Sequence, residues 1–291
     1  MIIEWTRTRV IVAVAAMGGL GLAFAAGSWV SAQSPAAPPA FKQDDPPNRA
    51  LDANLYIQTS AEYRACCLQT YNLAGRRLKE EMDKKPQGKP AVVMDLDETV
   101  IDNAGYQASQ IRSNLAFDQR LFTLWESDPK SQVGFVPGAK AFIDEAKKLG
   151  VTVVYISNRS DKYKTVCKDM LDRLGIGVTD DTQLKLNTSE TSSDKTERRA
   201  DTEKRYNVLL YIGDNLRDLD EEFKTGDLGK KTPAELEKAI AGRKAAVDKH
   251  AADFGGKWII LPNPAYGEWT KPLGMGKADL DRLAPVTAKG K

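Results

Sequence analysis

The sequence predicts an α/β protein: a doubly wound parallel sheet carrying a small helical cap. Three observations lead there. Short apolar runs recur along the chain, each bounded by turn residues, as expected of strands buried on both faces. Stretches of helical periodicity separate them, which makes the strands parallel and covers both faces of the sheet. Acidic or hydroxyl residues follow the runs directly, at the strand ends where open α/β sheets bind ligands.

The elements follow in chain order. Arg7 and Arg9 precede an apolar run over residues 10–25, and Val30-Ser31-Ala32 fits a small-x-small cleavage site. Residues 1–32 therefore read as a signal peptide that sends the protein to the periplasm or out of the cell. The alternative is an uncleaved anchor, because the weakly polar stretch can be counted on to Val30. Once the signal is cleaved, no stable membrane partner is expected. Residues 33–48, rich in Pro, Ala and polar side chains, form a flexible leader. The folded domain covers residues 49–275, and residues 276–291 form a tail.

Within the domain, Leu51, Leu55, Tyr63, Cys66, Tyr71, Ala74 and Leu78 recur near the helical period, giving a helix over 51–85 that Pro86-Gln87-Gly88 ends. A short strand over 91–94 runs straight into Asp95. Residues 103–136 are too few for a large lid and predict the helical cap. A helix over 140–149 and the turn residue Gly150 lead into a strand over 151–156. Helices over 162–174 and 195–206 flank a short strand at 183–186. The strand over 208–212 ends at Gly213-Asp214. A helix over 232–253 opens with Thr232 before Pro233 and Glu235, a capping box with proline at the first turn. A last strand, 258–261, is closed by Pro262.

Composition excludes several functions. Lys and Arg number 42 against 40 Asp and Glu, and this near balance gives no reason to expect nucleic acid or an acidic membrane as partner. The charge runs at 76–85, 194–205 and 238–249 mix both signs and read as solvated helix faces. His250 is the single histidine, which excludes histidine phosphatases and metal centres built on several imidazoles. Cys167 and Arg173 have the Cys-x5-Arg spacing of cysteine-based phosphatases, but the residues between are helical in character and include Asp169 and Asp172, which repel an anion. Cys66, Cys67 and Cys167 permit a bridge from Cys167 to one of the adjacent pair in an oxidising compartment; the other reading is three buried small side chains.

The chemistry lies at three strand ends. In Asp95-Leu96-Asp97-Glu98-Thr99, alternate residues share one side of an extended strand, so both aspartates point into the crevice. One carboxylate can attack phosphorus, and the other can protonate the leaving alcohol and then activate water. Ser157-Asn158-Arg159, placed directly after a strand, offers a hydroxyl and backbone N–H groups as a phosphate cradle at a helix start. Asp214 and Asp218, four residues apart, can face one small cation together with Asp95, and such hard oxygen ligands suit Mg²⁺. A carboxylate about 3.3 Å from a phosphate dianion meets roughly 10 kcal/mol of repulsion at an effective dielectric of about 20, so the metal and a lysine are both needed. Lys185 and Lys195 are the candidates. Lys195 is favoured, because Ser192-Ser193-Asp194 places it at a helix start.

Together these residues resemble the haloacid dehalogenase superfamily of aspartyl-phosphate phosphatases. More narrowly, the chain resembles the bacterial class C acid phosphatases, a secreted or outer-membrane nucleotidase family. Residues 58–63, 95–103, 157–159 and 261–269 carry the closer likeness, which runs from about Leu51 to about Leu273. The resemblance implies Asp95 as nucleophile and Mg²⁺ ligand, and Asp97 as acid/base that lends the metal its backbone carbonyl. It implies Asp214 as a further ligand with Asp218 supporting the metal waters, Thr99, Ser157 and Lys195 on phosphate, and Phe122 and Tyr266 clamping a nucleoside base, with Phe117 and Trp125 nearby. The expected activity is Mg²⁺-dependent hydrolysis of small phosphomonoesters, nucleoside 5′-monophosphates foremost. The competing reading is a non-catalytic periplasmic nucleotide-binding or surface protein on the same fold.

Overall fold

A computed structural model describes residues 50–131, 133–226 and 232–273. The signal peptide, the leader and the tail lie outside the described residues. The chain enters through two helices, α1 (Leu51–Thr59) and α2 (Ala61–Asp83), where the periodicity had suggested one. Ser60 makes the break: its backbone is extended and its hydroxyl accepts a hydrogen bond from the Tyr63 N–H at 2.9 Å, capping α2. The apolar spacing is compatible with a helix on both sides, so periodicity alone does not reveal the interruption.

The central strand β1 (Pro90–Met94) follows. Beyond it lies the cap: a two-residue strand β2 (Ile101–Asp102), helices α3 (Ala104–Ser113) and α4 (Gln119–Ser127), and a returning strand β3 (Gly134–Phe135). β2 and β3 pair antiparallel, so the helical cap stands on a small ribbon that the sequence reading did not anticipate. α1 packs against α3, where Asn54 and Gln58 both donate to the Ala104 carbonyl at 3.2 and 2.8 Å.

The core resumes with α5 (Ala139–Lys148), β4 (Thr152–Ser160), α6 (Lys164–Arg173), β5 (Leu184–Asn187), α7 (Thr196–Glu203) and β6 (Asn207–Gly213). It closes with the short α8 (Leu216–Leu219), α9 (Pro233–Lys249) and β7 (Trp258–Ile260). β1 and β4–β7 form one five-stranded parallel sheet in the order β5-β4-β1-β6-β7, with helices on both sides. Period-two alternation is visible in β1: Val92 and Met94 join the core cluster containing Tyr71, Leu78 and Ile143, whereas Ala91 and Val93 join the opposite one with Tyr211 and Leu219. Each fully buried Val or Leu contributes about 1.5–3 kcal/mol, so the apolar centre of the sheet offsets the cost of charges held at its rim.

Two expectations are corrected here. All three cysteines are free; Cys66 is exposed on α2 while Cys67 and Cys167 are buried. Neighbours on a helix point about 100° apart, so only one of the adjacent pair can face the core. The charged run at 194–205 is only partly a solvated face, since Lys195 and Arg199 are both buried. Replacing Ser60 by Ala removes the cap of α2 and is expected to lower stability by about 0.5–2 kcal/mol, measured by denaturant unfolding.

Candidate active site

β1 ends at Met94, but the Asp95 N–H still donates to the Ile212 carbonyl at 3.0 Å, extending the ladder by one residue. The chain then turns sharply. The Leu96 carbonyl accepts from the N–H groups of both Val100 and Ile101 at 2.8 Å, and Glu98 takes a left-handed backbone with φ 52°. Such a conformation costs a non-glycine residue about 1–3 kcal/mol. Asp95 and Asp97 are thus brought together by a strained turn, not by the pleat of a strand. Buried Glu98 accepts from the Asn103 N–H at 3.2 Å and from Gln107 at 3.0 Å. Burial, with the charges of Asp97 and Asp214, pushes its carboxyl well above the usual range.

Carboxylate oxygens of Asp95, Asp214 and Asp218 lie within 4.8 Å of one another. Asp214 follows β6 and is held from two sides: Thr99 Oγ1 donates to one oxygen at 2.9 Å and Asn263 Nδ2 to the other at 2.8 Å. Asp218, in the first turn of α8, accepts from the Asn215 N–H at 3.0 Å in a capping box. Gly213 makes that approach feasible, for a Cβ there would fall 2.4 Å from Asp218. Buried Lys195 spans the group, its Nζ 2.7 Å from Asp95, 2.6 Å from Asp218 and 2.8 Å from the Ile156 carbonyl. Burial works against the ammonium, but the two carboxylates outweigh it and keep Lys195 charged. One ammonium does not balance three acids. Burial, with the neighbouring carboxylates, raises Asp95 well above its ordinary value and brings Asp214 to about 7. A cluster of hard oxygen donors with surplus negative charge fits a divalent cation.

Asp97 faces the same space. Arg159 donates to it through Nη2 at 2.8 Å and Nε at 3.1 Å, and Asn103 Nδ2 through a 2.7 Å bond. Burial alone would raise the Asp97 carboxyl, but Arg159 prevails and holds it below the usual range. β4 continues to Ser160, so Ser157, Asn158 and Arg159 belong to the strand and do not open a helix; α6 begins only at Lys164. Its pairing with β5 is interrupted between Ile156 and Ser160, which frees these three residues from a regular ladder. Asn158 reaches the cavity, with Arg198 donating to its Oδ1 at 2.7 Å and to the Ser157 carbonyl at 2.6 Å. Ser157 and Thr99 are fully enclosed.

Asp95, Asp97, Asn158, Lys195, Asp214, Asp218, Phe117, Phe122 and Tyr266, all singled out from the sequence, line one cavity of about 630 Å³. Its acidic end lies at the sheet and its other end is aromatic, with Tyr106 and Phe117 beside Phe122. Phe122 is buried among Tyr106, Phe117 and Trp125 at centroid distances of 5.1–5.8 Å, whereas Phe117 and Tyr266 are exposed. Tyr266 stands on a loop secured by buried Glu268, which accepts from the Thr225 N–H at 2.9 Å, Lys271 at 2.8 Å and Arg217 at 3.1 Å. The sequence reading assigned no role to Arg159, Arg198 or Asn263. The signal for Arg159 and Asn263 was their place within the stretches that carry the family likeness; that for Arg198 was its position three residues after Lys195, on the same helical face.

A turn carrying Asp95 and Asp97 after the central strand, a buried lysine and an acidic pair after β6 form the pattern of a haloacid-dehalogenase type of phosphatase. Residues 36–269 match the family model of the HAD superfamily, subfamily IIIB (acid phosphatase), and the chain belongs to that family. It is similar to the class C acid phosphatase of Bacillus anthracis, with 28% identity, a TM-score of 0.68, and coverage of 82% of this chain and 98% of that one. The same enzyme with tungstate bound matches at 28% identity and a TM-score of 0.65, over 81% of this chain and 94% of that one. The protein is accordingly a phosphomonoesterase.

Two outcomes test the geometry. Gly213→Ala forces Asp218 away from Lys195 and is expected to weaken divalent-cation binding by about tenfold or more, read by calorimetric titration. Burial favours a raised Glu268 carboxyl, but Lys271 and Thr225 prevail and hold it at about 2. A carboxylate depressed in the folded state contributes stability above its ordinary value of 4.5 and loses that contribution as pH falls toward 2. The melting-temperature gap between wild type and Glu268→Gln should therefore be widest above pH 4.5 and close as the solution is acidified to about 2.

Proposed function

We propose that the chain is an exported, Mg²⁺-dependent phosphatase of small phosphomonoesters, nucleoside 5′-monophosphates foremost, acting through an aspartyl-phosphate on Asp95. The observation that carries this is the pairing of Asp95, gripped by Lys195 beside Asp214 and Asp218, with a second carboxylate, Asp97, lining the same cavity. Asp95 attacks phosphorus, the ester P–O bond breaks, and the leaving oxygen takes a proton from Asp97. Asp97 then removes a proton from water, which attacks phosphorus, breaks the bond to Asp95 and releases phosphate. Arg159 favours ionised Asp97, the form that serves as base in the second step. An arriving phosphate dianion acts in the opposite sense and favours the protonated form that the first step requires.

Mg²⁺, held by Asp95, Asp214 and the Asp97 carbonyl with Asp218 behind, would supply positive charge against the phosphate oxygens. Lys195 and Asn158 would hold the phosphoryl group from the protein side, with Ser157 and Thr99 shaping the layer beneath. The tungstate on the Bacillus anthracis relative supports an oxyanion pocket, since tungstate is a tetrahedral oxyanion like phosphate. The aromatic end of the cavity suits a nucleoside base, with exposed Tyr266 as one stacking face and Phe122 and Phe117 as the other. The open rim under a small cap suits broad substrate use. Export rests on the basic, apolar and small-residue pattern of residues 1–32; among the described residues no helix is long and apolar enough to cross a membrane.

The test is phosphate release from 5′-AMP and p-nitrophenyl phosphate by the 33–291 fragment, with Mg²⁺, with chelator, and with Asp95→Asn. Chelation should abolish turnover, and Asp95→Asn should lower it by about a thousandfold or more. Turnover that survives Asp95→Asn would sink the covalent mechanism. Nucleotide binding without turnover in a Mg²⁺-loaded, folded protein would favour the non-catalytic reading.

A further inference from the structure

We infer that Arg159 and Glu126 form a positioning bridge through which the cap sets the orientation of Asp97. The inference rests on the reading of Asp97 as acid/base. Glu126 lies near the end of α4, its side chain only 2% exposed, and is ion-paired with Arg159 Nη1. The same guanidinium holds Asp97 through Nη2 and Nε, so one planar group joins a cap carboxylate to a carboxylate of the site. Its orientation is further constrained. The guanidinium carbon stands 5.0 Å from the centre of the Phe122 ring, one turn before Glu126 on α4, and Nη1 lies 3.6 Å from Met170 Sδ on α6. Arg173 of α6 donates to the Glu126 carbonyl at 2.5 Å, fastening that end of the cap helix to the core.

Energetics argue against a role in stability alone. Burying a carboxylate and a guanidinium carries a desolvation penalty that the ion pair often fails to recover, so apolar residues would hold α4 against α6 at least as well. What they could not do is present a fixed fork of N–H donors to Asp97. Arg offers that fork and Lys does not. Asn103, which lies at the start of α3, holds Asp97 Oδ1 from another direction. The acid/base carboxylate is therefore oriented largely by groups that belong to the cap or are tied to it.

A positioning role makes a selective prediction. A misaligned acid hinders departure of a leaving group that needs a proton and spares one that does not. Phenyl phosphate and p-nitrophenyl phosphate are matched in shape and differ in that need, and kcat/KM reports the step in which the leaving group departs. Glu126→Gln and Arg159→Lys are expected to lower kcat/KM on phenyl phosphate by about tenfold or more while changing p-nitrophenyl phosphate by less than about threefold. Asp97→Asn serves as reference and should show the same selectivity in stronger form. Equal losses on both substrates, or no loss on either, would overturn the bridge. If Asp97→Asn itself lacks selectivity, the acid/base reading falls and the bridge with it. If only the bridge variants lack it, the acid/base reading stands and the bridge falls. Thermal unfolding checks that each variant is folded. Should a single variant unfold, Glu126→Leu combined with Arg159→Met removes both charges of the bridge together, leaves Asp97 to Asn103, and must show the same selective loss.

Discussion

Negative charge packed together at the carboxyl end of one sheet is the constraint on which the rest of the structure depends. Asp95, Asp97, Asp214 and Asp218 crowd the rim of β1 and β6, with Glu98 buried behind them. Among the described residues, only Lys195 and Arg159 bond directly to these aspartates as cations. Like charges at such distances repel by several kcal/mol wherever the local dielectric falls well below that of water. The fold contains that repulsion by distributing hydrogen bonds: Thr99 and Asn263 on Asp214, Asn103 on Asp97, the Asn215 N–H on Asp218. A divalent cation would offset that surplus and let the negative charge of a phosphoryl group approach, which is a physical reason for a phosphatase to carry a site that is poorly neutralised by its own residues.

The core is built to resist that stress. β1 is the middle strand of five, apolar on both faces, and its ladder persists one residue beyond the strand to fix the backbone of Asp95. The left-handed turn at Glu98 is tolerable because it is anchored at both ends, by Leu96 below and by the ribbon of β2 and β3 above. Local strain is thus stored where a rigid sheet can hold it.

How much of this was legible beforehand depends on the kind of signal. Strands buried on both faces stand out as apolar runs, so the sheet and the acids at its rim could be read directly, down to Lys195 over Lys185. Lys185 proves to be engaged by Asp201 of α7, away from the acidic cluster. Features set by a single hydrogen bond were not legible. The Ser60 break leaves the helical period undisturbed, and the extension of β4 from Ser157 to Ser160 runs over polar residues that read as a helix start. The ribbon of the cap is only two residues per strand, too short for alternation to register. Arg159 was hidden for another reason: its partners Asp97 and Glu126 are 62 and 33 residues away in sequence, and nothing local announces a long-range ion pair.

The clamp on Asp214 has a consequence in time. One of its oxygens is held by Thr99, from the turn after the first strand, and the other by Asn263, just beyond the last strand. Thr99 in turn gives its carbonyl to the Tyr71 hydroxyl at 2.6 Å, so α2 is part of the same linkage. A polypeptide that emerges from its amino end possesses Asp95 early, yet lacks the final latch on Asp214 until nearly the whole domain has appeared. Partly synthesised chains are in that sense missing one side of the acidic cluster. The order of the sequence itself delays completion of the cluster until the domain is nearly finished.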